Sequence, residues 1–135
     1  MQIIIASHSY MAEGIYDATK MLSGNKNNVI VMKAYVESDN FETEFQNVIN
    51  SIQDKVVIVL TDLLGGSVNQ TVMRYKGDHD LQISAGINLY SVIKLTQIDD
   101  NENIAEQIKN IVEQSREQIL YINKELKNRK EKNNV

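Results

Sequence analysis

Four short apolar runs rich in β-branched residues punctuate the chain: Ile3 to Ala6, Val29 to Ala34, Val56 to Leu60 and Leu81 to Ala85. The first and third are apolar on both faces, which predicts strands covered on both sides within a parallel sheet. Between the runs the spacing turns helical. Met11, Ile15, Ala18 and Leu22 recur every three or four residues and stop at Gly24, a residue suited to a left-handed helix cap. Asp39 is the expected N-cap of a second helix with Phe41, Phe45, Val48, Ile49 and Ile52 on one face. A third is expected from Ser67 through Val72, Met73 and Tyr75 until Gly77. After Asn88 the pattern predicts a short helix through Val92, Ile93 and Leu95. A longer one should start near Asn101 and turn Ile104, Ile108, Ile111 and Val112 inward. From Gln118 to Asn123 the pattern is compatible with either a continued helix or a short strand.

Strands alternating with helices of about ten residues imply βαβ units, and hence an α/β fold with an open, doubly wound, mainly parallel sheet. Right-handed crossovers place helices on both faces. With 135 residues, 42% of them hydrophobic, the chain is long enough for one domain with its own core. No internal repeat or low-complexity linker divides it, and proline is absent.

Charge and composition narrow the chemistry. A formal net charge of -4 offers no basic field for a polyphosphate backbone, so no nucleic-acid partner is expected. The late cluster of Lys124, Lys127, Arg129, Lys130 and Lys132 reads as a solvated helix end or tail. Cysteine is absent, which removes disulfides, thiolate nucleophiles and thiolate metal sites. The start, MQIIIASHSY, lacks the cationic lead-in of a signal peptide, and no apolar run approaches membrane-spanning length, so a cytoplasmic protein is expected.

In an open parallel sheet, ligands bind outside the carboxyl ends of the strands. That rule selects Ser7-His8-Ser9-Tyr10 after the first strand and Asp62-Leu63-Leu64-Gly65-Gly66-Ser67 after the third. If those strands are neighbours, His8 and Asp62 emerge side by side. A histidine that attacks phosphorus must present one nitrogen's lone pair while the other carries the proton. A carboxylate accepting that N–H fixes the tautomer and stabilises the charge that develops. Gly65, Gly66 and Ser67 lead into a helix, where backbone N–H groups can approach an anion, with hydroxyls from Ser67, Ser9 or Ser7 as further donors. Each signal alone has a plainer reading: a solvated loop histidine, a turn aspartate, a tight Gly-Gly turn. Their convergence on one edge is what carries the assignment. His79, in a polar turn before the fourth strand, belongs at the opposite end of the sheet. No metal site is expected, because no third ligand joins His8 and Asp62 at a recognisable spacing, and no cofactor is expected.

At these residues the chain resembles the IIA domains of the mannose-type branch (mannose, fructose and sorbose) of the bacterial sugar phosphotransferase system. The markers are Ile3 to Gly14 (IIIASHSYMAEG), Val59 to Asn69 (VLTDLLGGSVN) and Ser84 to Leu89 (SAGINL). The resemblance extends to about Asn123 and implies a phosphotransferase domain over 1–123, followed by a polar tail over 124–135. It implies that His8 receives a phosphoryl group from the phosphocarrier protein HPr and passes it to a IIB protein, with IIC and IID membrane components downstream. Asp62 would orient the histidine, and Gly66 with Ser67 would face the phosphate. It further implies strand order 2-1-3-4 and a homodimer in which Gln118 to Asn123 is an exchanged antiparallel strand. Three positions depart from the family pattern: Ser9 stands where glycine often follows the histidine, Val68 where proline often follows the Gly-Gly-Ser, and Ser115-Arg116-Glu117-Gln118 lacks the glycine that commonly precedes the exchanged strand. No IIB domain follows within the sequence, so a separate IIB protein is the expected partner.

Other readings use the same edge. A dihydroxyacetone kinase-type phosphoryl donor also carries a Ser-His-Ser stretch after its first strand, but its later loop differs. A non-catalytic anion-binding module is compatible with the fold, because doubly wound sheets host many functions. A hydrolase with Ser67 as nucleophile lacks the surrounding nucleophile-elbow motif.

Overall fold

The computed structural model describes residues 1–133. Four strands, β1 (Gln2–His8), β2 (Val29–Ala34), β3 (Val56–Thr61) and β4 (Asp80–Ala85), form one parallel sheet in the order β2-β1-β3-β4. Helices α1 (Met11–Ser23), α2 (Phe41–Ser51), α3 (Ser67–Met73), α4 (Leu89–Leu95), α5 (Ile104–Arg116) and α6 (Ile122–Asn133) complete the chain. The α/β class, the doubly wound arrangement and the strand order are those expected.

Successive strand residues point to opposite faces, and the central strands supply both cores. Ile4, Ala6, Val57 and Val59 meet Phe41, Phe45, Ile49, Val68 and Val72 of α2 and α3 on one face. Ile3, Ile5, Ile58 and Leu60 meet Ala12, Val92, Leu95 and Ile108 of α1, α4 and α5 on the other. Each such fully buried aliphatic side chain stabilises by about 1.5–3 kcal/mol. That double burial explains why the first and third apolar runs show no alternation.

Several expectations need correction. The inward stripe of α1 is Ala12 and Thr19, with Ile15 and Tyr16 partly covered, while Met11 and Leu22 are 44% and 64% exposed. The helix carries two overlapping stripes, and the one with small residues lets α1 pack closely against the sheet and α4. The cap of α2 is Asn40 rather than Asp39, since the Asn40 side chain accepts from the Thr43 N–H. Helix α3 ends at Met73, and Tyr75 leaves it to set its ring edge-on to Phe45. Helix α5 begins at Ile104 because Asn103, not Asn101, caps it through the Glu106 N–H.

In the single chain the segment from Gln118 to Asn123 neither continues α5 nor forms a strand. Helix α5 closes at Arg116, no regular element covers 118–121, and α6 starts at Ile122. A strand needs a sheet edge to pair with, and among the described residues this segment pairs with none. Ile119, Leu120, Tyr121 and Ile122 are exposed. The boundary expected at 123 therefore falls inside α6, whose residues 124–133 are helical, and residues 134 and 135 of the expected tail lie outside the described residues. No helix among the described residues is long and apolar enough to cross a membrane.

Candidate functional site

Parallel pairing of β1 with β3 sets Ala6 opposite Thr61. His8 closes β1 two residues beyond that pair, and Asp62 follows one residue beyond it, so both leave the carboxyl edge together. Asp62 Oδ2 accepts from the His8 backbone N–H at 2.8 Å and lies 2.8 Å from His8 Nδ1. The Asp62 side chain is only 9% exposed against 41% for the imidazole. Burial by itself would raise the Asp62 pKa, but the His8 backbone N–H and the imidazole together hold it below the ordinary carboxylate value. Asp62 is thus ionised near neutral pH and can only accept hydrogen bonds. Nδ1 must carry the proton, so in the neutral imidazole the lone pair sits on Nε2.

Nε2 faces the head of α3. Ser67 Oγ lies 3.2 Å from it. Gly65 has a positive φ of 78° and turns the loop, while Gly66 passes so close to the imidazole that an added Cβ would lie 3.3 Å from His8 Cε1 and 3.3 Å from the Leu63 carbonyl oxygen. The N–H groups of both glycines have acceptors within the chain in this structure. Gly65 N–H donates to Asn69 Oδ1, and Gly66 N–H donates to the Leu63 carbonyl. What the pair supplies is room for the ring and a sharp turn. The buried Asn69 side chain also donates to Thr61 Oγ1 at 2.9 Å, tying the loop to the end of β3.

Ser7 and Ser9 have distinct duties. Ser7 is fully buried, and its hydroxyl accepts from the Ala12 N–H at 2.7 Å, so it binds the first turn of α1 instead of facing solvent. Ser9 adopts a positive φ of 54°, the left-handed region where glycine is at ease. That conformation gives a physical meaning to the glycine this position often holds in the family it resembles. Its N–H donates to the Ala34 carbonyl, joining the ends of β1 and β2.

Sequence reasoning missed Tyr35. It follows β2 directly, has a positive φ of 68°, sets its ring 5.6 Å from the His8 ring, and places its hydroxyl 2.6 Å from Ser67 Oγ. The available signal was the carboxyl-edge rule itself, which applies to β2 as the neighbour of β1. His79 lies at the other end of the sheet as expected, with Nδ1 2.7 Å from the Asp54 carbonyl oxygen. No cluster of three or more His, Asp or Glu side chains suited to a metal occurs among the described residues.

Known proteins share the sequence family and the fold. The family described as the PTS system fructose IIA component matches over residues 2–112. A Klebsiella pneumoniae structure described as a phosphoenolpyruvate-dependent sugar phosphotransferase system permease is 26% identical, covers 93% of each chain, and superposes with a TM-score of 0.83. A Streptococcus pneumoniae PTS IIA protein associated with the fucose utilization operon is also 26% identical, over 93% of this chain and 95% of that one, with a TM-score of 0.79. The mannose/sorbose-specific IIA subunit from Enterococcus faecalis shares the fold at 23% identity and a TM-score of 0.72, over 88% of this chain and 92% of that one.

Proposed function

The chain belongs to the family of PTS system fructose IIA components, and from that premise we propose that it is a phosphohistidine carrier with Nε2 of His8 as the phosphoryl acceptor. The observation that carries the reading is the 2.8 Å contact between His8 Nδ1 and Asp62 Oδ2, which leaves the Nε2 lone pair facing outward. The donor is the phosphohistidine of HPr. As its N–P bond breaks, the donor imidazole recovers an electron pair, and the Nε2 lone pair of His8 forms the new N–P bond. Positive charge then grows on the His8 ring, and the Asp62 carboxylate beside Nδ1–H stabilises it. Ser67 Oγ donates to a phosphoryl oxygen, Gly66 leaves space for the ring, and Ser9 holds the turn that follows His8. The reverse step hands the group to a separate IIB protein, for sugar uptake through IIC and IID membrane components.

Residues 1–123 act as the phosphotransfer unit in the cytoplasm. The outer edge of β4 and the exposed run from Ile119 to Ile122 favour a homodimer, because an edge strand and an apolar segment in one chain can each be covered by a second copy. Incubation with phosphoenolpyruvate, enzyme I and HPr tests the carrier role. Wild type acquires an acid-labile, base-stable phosphate and His8→Ala acquires none; equal labelling of the two contradicts it.

A further inference from the structure

The hydrogen bonds around His8 extend to a residue outside the expected machinery. With Nδ1 protonated toward Asp62, Nε2 is an acceptor, so the Ser67 hydroxyl 3.2 Å away must donate to it. Ser67 Oγ then has only lone pairs to offer Tyr35, and the Tyr35 hydroxyl, 2.6 Å away, must be the donor in that contact. We infer that Tyr35 is a positioning residue for phosphoryl transfer: its O–H donates to Ser67 Oγ and thereby aims the Ser67 proton at the position where the phosphoryl group joins Nε2. The inference rests on the carrier function proposed above and adds a component to it.

Backbone geometry supports a dedicated role. β1 and β2 pair so that His8 lies opposite Ala34, and the next residue on each strand, Ser9 and Tyr35, takes a positive φ. Bulky L residues rarely adopt that region, and such outliers concentrate where a side chain must be aimed. Here the left-handed step at Tyr35 sets the ring against the imidazole and the hydroxyl against Ser67. When Nε2 becomes bonded to phosphorus it ceases to be an acceptor, and the Ser67 proton turns to a phosphoryl oxygen while Tyr35 continues to hold Ser67 Oγ.

The test compares full-length wild type, Tyr35→Phe, Ser67→Ala and the double variant in two ways. In the steady-state rate of phosphorylation by phospho-HPr, Tyr35→Phe lowers kcat roughly three- to tenfold with KM unchanged. Added to Ser67→Ala it produces no further loss, because it acts through that hydroxyl. In long-range 1H–15N spectra of the imidazole, recorded without any phosphoryl donor, Tyr35→Phe shifts the Nε2 resonance in the same direction as Ser67→Ala. Wild-type kcat, a change confined to KM, full additivity with Ser67→Ala, or an unmoved Nε2 resonance in Tyr35→Phe would each overturn the inference. An unlabelled wild type whose Nε2 resonance still responds to Tyr35→Phe overturns the carrier function and leaves the hydrogen-bond chain standing.

Discussion

Replacing Asp62 by asparagine keeps the shape of the side chain and removes its charge, which isolates what the carboxylate does. One carboxylate oxygen now receives two N–H groups, from the His8 backbone and from Nδ1, while Oδ1 is buried with no hydrogen-bond partner among the described residues. In Asp62→Asn the amide oxygen must take the Oδ2 position, because an NH2 there would confront the backbone N–H. The amide NH2 then occupies the buried Oδ1 position and lacks an acceptor. An unsatisfied buried donor costs about 1–3 kcal/mol, partly offset by no longer burying a charge. The neutral acceptor also weakens the bond to an imidazole that becomes positive during transfer. The difference between a charge-assisted and a neutral hydrogen bond is about 1–2 kcal/mol, or roughly a five- to thirtyfold slower phosphorylation. Quenched-flow labelling by phospho-HPr measures that rate, and urea unfolding measures the stability. A variant that accepts phosphate at the wild-type rate, or one that is as inert as His8→Ala while still folded, refutes the assignment of Asp62 as an orienting and charge-stabilising group.

Further outcomes follow from the same contacts. The Asp62 pKa is lower in the folded chain than its ordinary value of 3.8, so its contribution to stability is full above that value and fades as pH falls through the lower folded one. Urea titrations at descending pH should show the stability gap attributable to the Asp62 charge closing below about pH 4, and a gap that widens in acid contradicts the sign. Gly66→Ala has a compatible backbone, with φ of -68° and ψ of 165°, but its methyl presses on His8 Cε1 and the Leu63 carbonyl. Circular dichroism melting should move by only a few degrees, for a cost of about 1 kcal/mol or less, while labelling slows about tenfold or more because a reacting ring held off its geometry loses rate steeply. Ser9→Gly, at a positive φ, should gain up to about 1 kcal/mol in chemical denaturation and keep labelling, whereas Ser9→Val should lose stability; the opposite order would show that the left-handed turn after His8 is misassigned.

The strands were legible because β1 and β3 are covered on both faces and therefore carry unbroken β-branched runs. The pairing of His8 with Asp62 was legible for a related reason, since strands that end at one edge deliver their next residues to one place. Other features depended on three-dimensional choices that spacing leaves open. Helix α1 has two apolar stripes, and only packing against α4 selects Ala12 and Thr19 over Met11 and Leu22. Gly65 and Gly66 look like anion donors in a one-dimensional reading, yet the Asn69 side chain and the Leu63 carbonyl take their N–H groups. Tyr35 carries no motif, and a left-handed tyrosine is visible only in backbone angles. The run from Ile119 to Ile122 stayed ambiguous because its apolar side chains find no cover within the described chain, so periodicity had no core to refer to.

Phosphoryl transfer at His8 turns most directly on which nitrogen takes the phosphate. Phosphorylating ring-15N-labelled protein with phosphoenolpyruvate, enzyme I and HPr, then recording 31P–15N couplings, assigns the bonded atom. Because Asp62 holds Nδ1, the predicted result is a single phosphorus coupled to Nε2 of His8. Phosphate on Nδ1, on Ser67 or on His79 would contradict it.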